Sequence, residues 1–360
     1  MTALSGKQSP QEVFSRVVAV SPDLKAHGGI ASVVGAYMKN FPSMRLVETN
    51  SRRGTVAGLF RLAAAFVRLP LLRVGGARIM HVHAAAGKSF VRKKMLIRWG
   101  RLFGYRIVFH SHSGLIKPYA EKVGTGAVKK VLDRCDRVAV LSSGWKRYFE
   151  DVMGQSDVTV VNNIVEPVPG YQRDYARTGP VRFLFMGLLM ERKGVFDLIE
   201  AVRILNRTHR GRFEVVVGGA HGEEERFHAA IADPEIAPAI VYAGWLDSDA
   251  KEEQLRRCDM ILLPSHAEGV PISILEGFAH GMPALASRVG GIPDMMTDGV
   301  EGSLVEVGNP GALAAAMQSY IDDPSLLCKR GEAALAAAKA YYPAAVGRQL
   351  LEMYAATTGR

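Results

Sequence analysis

Cysteine is scarce in this sequence, with three residues in a chain of 360. Cys135, Cys258 and Cys328 lie far apart and fit no spacing of a metal site. The low count excludes a small secreted domain held together by disulfides. We expect three reduced, mostly buried thiols in a cytosolic protein.

Targeting and membrane-spanning patterns are also lacking. The first 16 residues contain no apolar core followed by a cleavage site, so we expect no signal peptide. No run of about 18 uncharged apolar residues occurs. The nearest candidate, Gly54–Leu72, is interrupted by Arg61, Arg68 and Pro70, so a spanning helix is not expected.

Acidic residues are missing from Thr49 to Ala120, where 14 residues are basic. Residues 1–170 hold 26 Lys and Arg against 10 Asp and Glu, whereas residues 171–360 hold 19 against 25. An ordinary solvated surface mixes both signs. The pattern favours a first half that meets a polyanion, either a membrane surface or nucleic acid.

Length and patterning favour two α/β domains. A chain of 360 residues exceeds one ordinary core, and its 48% hydrophobic and 22% charged residues are typical of a globular protein. Short β-branched runs alternate with helical patterns, which predicts mostly parallel sheets with helices on both faces. The strands predicted in the first half are Arg16–Val20, Arg78–Ala84, Arg106–His112, Arg137–Ser142 and Val158–Asn163.

A second series of strands follows Val165–Pro180, a stretch rich in Pro, Gly and polar residues that we interpret as a linker. The boundaries are then 1–168 for an N-terminal Rossmann-like domain and 169–342 for a C-terminal one, with a last helix at 343–360 packing back on the first. Ligands are expected in the cleft between the domains, at the carboxyl ends of the strands. The strands predicted in the second half are Val181–Gly187, Phe213–Gly219, Ile240–Leu246, Met260–Ser265, Pro283–Ser287 and Gly302–Glu306.

The segment Phe183–Val202 has the pattern of a strand, a turn and a helix, with Gly187 at the end of the strand and Lys193-Gly194 where the helix begins. A lysine beside a helix N-terminus is typical of a phosphate site because backbone N–H groups, the helix dipole and a positive charge converge there. Exposed lysines at helix starts are also common without a ligand, so this pattern alone leaves both interpretations open.

The segment HAEGVPISILEGFAHGMP, residues 266–283, repeats this arrangement and carries two carboxylates, Glu268 and Glu276. We predict Glu268 in the loop after a strand and Glu276 on the second turn of the following helix, facing the same cleft. The backbone amides of Gly269–Ile272 would point outward and suit a phosphate. An ionised Glu can accept hydrogen bonds from two neighbouring sugar hydroxyls, although the pair could also be ordinary surface charges.

Together these motifs resemble retaining GT-B glycosyltransferases of family 4. GLLMERKGVFDLIEA, then EGVPISILE and GMPALASRVGGIPD, are similar to the family's donor-binding domain, and Glu268 and Glu276 match its pattern of two Glu separated by seven residues. In the first half, AHGGIASVV (Ala26–Val34) resembles the glycine-pair loop, and VFHSHSG (Val108–Gly114) resembles the strand that ends in a histidine near the sugar. The resemblance covers nearly the whole chain and implies the GT-B fold, in which two Rossmann-like domains face each other across a cleft.

The resemblance also implies roles for the matching residues, with His112, Glu268 and Lys193 as the catalytic set. Glu276 would hold the ribose, Glu268 would contact the donor sugar, and Lys193 would balance the diphosphate. His112 would lie beside the transferred sugar, and Gly244–Leu246 would flank the base. The donor-binding residues implied are Gly28, Gly29, Gly187, Arg192, Lys193, Leu246, Glu268, Gly269, Val270, Pro271, Ile272 and Glu276.

One position departs from the family pattern. Leu188 stands where the family usually has an Arg that partners the diphosphate, and Arg192 could supply the missing charge. His81, His83 and His110 alternate along strands and are as compatible with packing as with function. No cluster of His, Asp or Cys indicates a metal, and we expect neither a metal nor a cofactor because Lys193 and backbone amides can meet the diphosphate.

The implied reaction keeps the anomeric configuration. Because no carboxylate is evidently placed as a covalent nucleophile, we expect front-face displacement, in which the leaving diphosphate accepts the acceptor's proton. The donor would be a UDP- or GDP-sugar. HVHAAAGKSFVRKKML resembles members that build exopolysaccharide or surface glycans, which implies a glycan acceptor linked to polyprenyl diphosphate.

The acid-free stretch fits this acceptor because its cations are interleaved with Leu, Phe, Val and Trp99, as in a helix lying in an anionic membrane interface. We therefore expect a peripheral enzyme on the cytoplasmic face of the membrane. The cations concerned are Arg52, Arg53, Arg61, Arg68, Arg73, Arg78, Lys88, Arg92, Lys93, Lys94, Arg98 and Arg101.

Three other functions fit parts of the sequence. A GT-B sugar-nucleotide epimerase would share the donor site but need no acceptor. A nucleic-acid-binding protein fits the pI of about 9.5, but no recognition motif is present and stacking aromatics are not concentrated in the basic stretch. A catalytically inactive scaffold is supported only by Leu188.

Overall fold

The computed structural model describes residues 9–26, 28–176 and 178–358. The chain divides into two compact units: unit 1 comprises Met1–Ile164 with Tyr342–Arg360, and unit 2 comprises Val165–Tyr341. Within the described residues each unit contains one six-stranded sheet whose strands all pair in parallel. The predicted α/β class with two Rossmann-like sheets is therefore confirmed.

The sheet of unit 1 has the strand order β2-β1-β3-β4-β5-β6. Strands β1 and β3 are buried along their whole length, as expected for a parallel sheet covered on both faces. The elements of unit 1 are α1 (Pro10–Ser15), β1 (Val17–Ser21), α2 (Gly29–Asn40), β2 (Arg45–Glu48), α3 (Thr55–Val74), β3 (Ile79–Ala84), α4 (Lys88–Leu102), β4 (Arg106–Ser111), α5 (Ile116–Val123), α6 (Thr125–Leu132), β5 (Arg137–Val140), α7 (Ser143–Arg147) with a π-helical turn (Tyr148–Val152), β6 (Val158–Val160) and α15 (Pro343–Thr358).

The sheet of unit 2 has the order β12-β11-β10-β7-β8-β9. Its two central strands, β7 and β10, consist largely of buried apolar residues. The elements of unit 2 are β7 (Val181–Met186), a 3₁₀ turn (Glu191–Lys193), α8 (Val195–His209), β8 (Phe213–Gly218), α9 (Glu224–Ile231), a 3₁₀ turn (Ala237–Ala239), β9 (Ile240–Gly244), α10 (Ser248–Arg257), β10 (Met260–Leu263), α11 (Ile272–Ala279), β11 (Ala284–Ser287), α12 (Ile292–Met295), β12 (Gly302–Val305), α13 (Pro310–Asp322), α14 (Ser325–Ala338) and a 3₁₀ turn (Lys339–Tyr341).

Each predicted strand is present, but β2 was not predicted from the sequence. It is four residues long, and of these only Val47 is buried, so neither length nor alternation distinguishes it from a loop. The strand predicted to include His112 ends one residue earlier, at Ser111.

The segment interpreted as a linker packs on unit 2. Arg173 donates from Nε to the carbonyl oxygen of His280 (2.7 Å) and from a terminal nitrogen to that of Cys258 (2.6 Å). The hydroxyl of Tyr175 donates to the carbonyl oxygen of Gly281 (2.8 Å). Arg177 lies outside the described residues, but its neighbours up to Ala176 belong to the unit rather than to a free connection.

The last helix, α15, packs within unit 1. Its buried face includes Val346, Leu350, Met353 and Tyr354, and the Tyr354 ring lies against that of His81. Residues 359 and 360, which the sequence analysis assigned to this helix, lie outside the described residues.

Helix α3 corrects the expectation of an interrupted apolar segment, because it runs unbroken from Thr55 through Pro70 to Val74. By length and composition alone it could cross a membrane. It nevertheless belongs to unit 1, where Ala65 and Leu69 are buried and the indole N–H of Trp99 donates to the carbonyl oxygen of Phe66 (2.9 Å).

Several cations assigned to a membrane surface form ion pairs within unit 1 or are buried in it. Arg61 pairs with Asp23 (2.9 Å) and Glu48 (3.1 Å), Arg101 pairs with Asp136 (2.7 Å), and Lys93 is 1% exposed. Sequence composition could not show this because the paired acids lie outside the acid-free stretch. Exposed cations of the stretch are Arg52, Arg53, Arg68, Arg78, Lys88, Lys94, Arg98, Arg101 and Lys117.

Candidate active site

The order of strands in unit 2 reverses between β7 and β10. The chain continues from β7 to β8 and β9 on one side, whereas β10 leads to β11 and β12 on the other. Loops at the carboxyl ends of two such strands diverge and leave a crevice in which α/β proteins bind ligands. The two segments that carry the predicted site, 187–194 and 264–271, follow β7 and β10 directly.

Lys193 and Glu268 meet at this point, with Lys193 Nζ 2.5 Å from Glu268 Oε1. Glu268 is 8% exposed, and its carboxylate lies in the loop before α11, as predicted. Lys193 ends a 3₁₀ turn, and Gly194 is the N-cap of α8, in the left-handed region (φ 71°). A Cβ on Gly194 would lie 1.8 Å from the carbonyl oxygen of Pro264, so only glycine lets the two loops approach this closely.

Glu276 lies on the second turn of α11 and pairs with Lys251 of α10, whose Nζ is 2.5 Å from Glu276 Oε1. The Glu276 side chain is 20% exposed, so its carboxylate remains accessible. Lys251 was not identified from the sequence. It lies in the charged run SDAKEEQLRR, which offers no signal that one lysine differs from its neighbours.

The N-terminus of α11 corrects one detail of the predicted phosphate site. Pro271 has no N–H and takes the N-cap position, so Gly269–Ile272 cannot supply four donors. The first helical N–H groups are those of Ile272 and Ser273, both half-buried. Within the described residues no side chain caps this helix, which leaves its positive end available to an anion.

Gly187 lies beside the Lys193 side chain, and Arg192 directly precedes Lys193 in the chain. A Cβ on Gly187 would lie 3.9 Å from Lys193 Cδ. Arg192 donates to the carbonyl oxygen of Ala267 (3.2 Å) and has no carboxylate partner among the described residues. Arg192 is thus a second cation at the predicted diphosphate site, where Leu188 is half-buried.

The predicted base-flanking segment follows β9. The Leu246 side chain covers Gly218 at the end of β8, where an added Cβ would lie 2.3 Å from Leu246 Cδ1. Trp245 is 42% exposed, and its ring centroid lies 6.0 Å from that of His221. An apolar side chain next to a partly exposed indole can pack against a planar base.

His266, in the loop after β10, pairs with Asp197 of α8, and this pair was not predicted from the sequence. His266 Nε2 lies 2.6 Å from Asp197 Oδ2, and the His266 amide donates to the carbonyl oxygen of Arg192 (2.9 Å). These bonds tie the start of α8 to the loop that carries Glu268. The residues are 69 apart in sequence, so no local pattern could have paired them.

In unit 1 the predicted glycine pair lies at the start of α2. Gly28 has φ 133° at the N-cap, and Gly29 is the first helical residue. An added Cβ at Gly28 would meet nothing within 4 Å, so glycine is required there by the backbone conformation and not by crowding. His27, which belongs to the same motif, lies outside the described residues.

His112 is half-buried and forms a cluster with three buried histidines. Strands β3 and β4 pair so that His83 lies opposite His110. His83 Nδ1 lies 2.9 Å from His112 Nε2, and His81 Nε2 lies 3.1 Å from His110 Nδ1. Burial lowers the pKa of His81 and of His112 to about 3 and lowers those of His83 and His110 well below the usual value, so the rings are neutral near pH 7.

From the sequence we expected no metal cluster, but the structure brings His81, His83 and His110 together. One ring nitrogen from each lies within 4.8 Å of the others. Neutral imidazoles are the form that binds metals, so this trio could hold an ion. The signal was available in the sequence, because HVH and HSH each place two histidines on one face of neighbouring strands. That the reaction needs no metal stays a prediction.

Most of unit 2 resembles a known protein family. Residues 172–337 match the family model described as glycosyl transferases group 1. The chain is 31% identical to glycogen synthase from Mycobacterium tuberculosis over 182 residues, which are 50% of this chain and 44% of that protein. It is 34% identical to the amylovoran biosynthesis glycosyltransferase AmsK from Erwinia amylovora over 142 residues, which are 38% of this chain and 35% of AmsK. The chain spans less than half the length of these relatives.

Solved structures extend the likeness to both units. The Anabaena protein HepE, crystallised in complex with UDP, superposes with a TM-score of 0.73 at 15% identity over 94% of this chain and 98% of HepE. At this identity the likeness concerns the fold, which is of the GT-B class. The match to the glycosyl transferases group 1 model lies within unit 2 and covers less than half of the chain.

Proposed function

We propose that the protein is a retaining glycosyltransferase that moves a sugar from a UDP- or GDP-sugar to a glycan acceptor. The observation that carries the proposal is the Lys193–Glu268 pair beside the uncapped N-terminus of α11, where β7 and β10 end. Cations and helix amides bind phosphate, and a carboxylate binds sugar hydroxyls. The family match of residues 172–337 and the likeness to a protein solved with UDP support a nucleotide-sugar donor.

Each residue of the proposed site in unit 2 then has a distinct role. Lys193, Arg192 and the first amides of α11 neutralise the diphosphate. Glu268 accepts from hydroxyls of the transferred sugar, and its pairing with Lys193 places sugar and diphosphate next to each other. Glu276 accepts from the ribose hydroxyls, and Lys251 fixes the orientation of that carboxylate.

The chemistry follows from these positions. The bond between the anomeric carbon and the diphosphate oxygen breaks, and a bond to the acceptor oxygen forms on the same face. The proton of the acceptor hydroxyl moves to the leaving diphosphate. Lys193 and the helix amides stabilise the negative charge that develops on that leaving group, which is an interaction stronger in the transition state than in the ground state. His112, neutral near pH 7, would act as a hydrogen-bond partner of the sugar rather than as a cation.

Helix α3 supports an acceptor carried by a membrane. Phe60 is 73% exposed and Val74 is 89% exposed, and apolar residues at spacings of three, four and seven share one face of the helix. A continuous exposed apolar face of this length marks a membrane or a partner protein, and the exposed cations beside it favour anionic lipid. The apolar residues of this face are Val56, Leu59, Phe60, Val67, Leu71 and Val74.

We therefore place the enzyme on the cytoplasmic face of the membrane, extending a glycan linked to polyprenyl diphosphate in polysaccharide or surface-glycan synthesis. The exposed apolar helix and the net charge of +10 support this location. Membrane binding is proposed for unit 1, whereas the proposed donor site belongs to unit 2.

The test is incubation of the purified protein with a panel of UDP- and GDP-sugars, with detection of the released nucleotide and of any new glycoside. We expect slow nucleotide release from one donor without acceptor and faster release with a lipid-linked glycan. An epimerised nucleotide sugar without glycoside would identify an epimerase instead. Absence of turnover with every donor and acceptor would contradict the proposal.

A further inference from the structure

Unit 1 holds a buried lysine that lacks a counter-charge. Lys93, on α4, is 1% exposed, and its Nζ donates to the hydroxyl of Thr49 (2.7 Å), which donates in turn to the carbonyl oxygen of Ser21 (3.0 Å). Among the described residues Thr49 is its hydrogen-bond partner, and no carboxylate pairs with it. A fully buried lysine is rare unless it is paired.

The preceding residue is a second cation of the same kind. Arg92 is half-buried, and its Nε is buried without a hydrogen-bond partner in the described part of the chain. Other arginines of the acid-free stretch do have carboxylates: Arg61 has Asp23 and Glu48, and Arg106 has Asp136 (2.8 Å). The lack of acidic residues between Thr49 and Ala120 therefore does not by itself explain why Arg92 and Lys93 have no carboxylate partner among the described residues.

Two further buried polar atoms point to a ligand at the same place. Ser21 Oγ and His83 Nε2 are buried and have no hydrogen-bond partner among the described residues. Lys93 lies close enough to His83 for its charge to lower that histidine's pKa. Unsatisfied buried polar atoms are costly, and in native proteins they commonly mark a functional position.

The fold places these groups where a parallel sheet binds ligands. Strand order in unit 1 reverses between β1 and β3, since β2 pairs with one edge of β1 and β3 with the other. Ser21 ends β1, Thr49 follows β2, and His83 is the penultimate residue of β3, so all three lie at carboxyl ends next to the reversal. The loop after β3, residues 85–87, is half-buried, so this edge reaches the surface.

We propose that Lys93 and Arg92 form an anion site in unit 1 that binds a phosphate group of the acceptor substrate. The inference rests on the proposed transferase function and names the chemistry of its acceptor side. A compact ammonium and a planar guanidinium that are close enough for their charges to interact suit the several oxygens of a diphosphate. A metal cation bound nearby by the histidines would instead face two positive charges, which favours an anion at this place.

Proton uptake gives a signature that a structural lysine would not show. Burial and the charge of Arg92 lower the pKa of Lys93 well below its usual value. An anion beside Nζ stabilises the charged form, so binding should draw a proton from the buffer.

The experiment is calorimetric titration of the full-length protein with geranyl diphosphate and with inorganic pyrophosphate, in the presence of saturating UDP to cover the donor site. Titrations in two buffers of different ionisation heat measure proton uptake. We expect Lys93→Met and Arg92→Gln each to weaken binding about tenfold or more, and Lys93→Met to abolish the uptake. Lys130→Met, which removes an exposed lysine of α6, should match the wild type.

Tighter binding of geranyl diphosphate than of pyrophosphate would identify a lipid-linked source, and equal binding would identify phosphate recognition alone; both support the site. Wild-type affinity in Lys93→Met and Arg92→Gln, or failure of both anions to bind, would overturn it. Thermal unfolding shows whether each variant is folded. If Lys93→Met is unfolded, Arg92→Gln still tests the proposal. UDP binding is measured first, so a failed donor site is distinguishable from a failed anion site.

Discussion

At the scale of single residues, the proposed donor site consists of carboxylates whose partners are lysines from other elements. Glu268 pairs with Lys193 and Glu276 pairs with Lys251, each at 2.5 Å. These pairs answer why an apolar, glycine-rich segment carries two acids, since buried carboxylates require partners. Each lysine holds one oxygen of its partner carboxylate in place.

Replacing Glu276 with Gln should raise the donor KM by about tenfold or more, with a smaller effect on kcat. The ribose hydroxyls lie away from the reacting bond, so their hydrogen bonds to a charged acceptor contribute equally to the ground and transition states. Steady-state kinetics over a range of donor concentration provides the measurement. Glu306→Gln, at a position 78% exposed, serves as the control, and an unchanged KM in Glu276→Gln would contradict the ribose assignment.

At the scale of elements, helix α3 shows which features can be predicted from sequence patterning and which cannot. The sequence indicated a basic apolar helix near a membrane, but Arg61 and Pro70 concealed its continuity and its exposed face. Patterning likewise located the loops of Lys193 and Glu268, because strand, turn and helix signals are local. It could not find Lys251, the His266–Asp197 pair or the burial of Lys93, because those depend on contacts between residues distant in sequence.

Removing the apolar face of α3 should weaken membrane binding. We expect Phe60→Ser with Leu71→Ser to reduce co-sedimentation with phosphatidylglycerol vesicles at low salt by about tenfold or more, because two large side chains leave the bilayer interface. Both residues are more than half exposed, so folding should be retained.

Val241→Ser, at an exposed apolar position of unit 2, is the matched control for that comparison. Equal sedimentation of the double variant and the wild type, or equal binding to neutral vesicles, would show that α3 does not contact anionic lipid.

At the scale of the whole molecule, we expect the stability of unit 1 to fall more steeply at low pH than that of unit 2. Unit 1 contains four neutral histidines whose pKa values lie below the unfolded value of about 6.5. Below that pH the unfolded chain binds more protons than the folded one, so stability falls as pH falls. His81 and His112, whose pKa values fall to about 3, each contribute a loss of about 1.4 kcal/mol one pH unit below the unfolded pKa, and His83 and His110 act in the same direction.

Hydrogen exchange measured at pH 7.5 and pH 5.5, corrected for intrinsic rates, checks this expectation. Amides of β3 and β4 should lose several kcal/mol of protection, whereas those of β7 and β8 in unit 2 should change much less. Parallel losses in both units would show that the histidine cluster does not set the acid sensitivity.

The central claim is that unit 2 binds a nucleoside diphosphate where β7 and β10 end. Calorimetric titration of the full chain with UDP and with GDP tests it most directly. We expect one of the two nucleotides to bind at one site per chain, and Lys193→Met to weaken that binding at least tenfold while Lys130→Met leaves it unchanged. Failure of both nucleotides to bind, or wild-type affinity in Lys193→Met, would contradict the account.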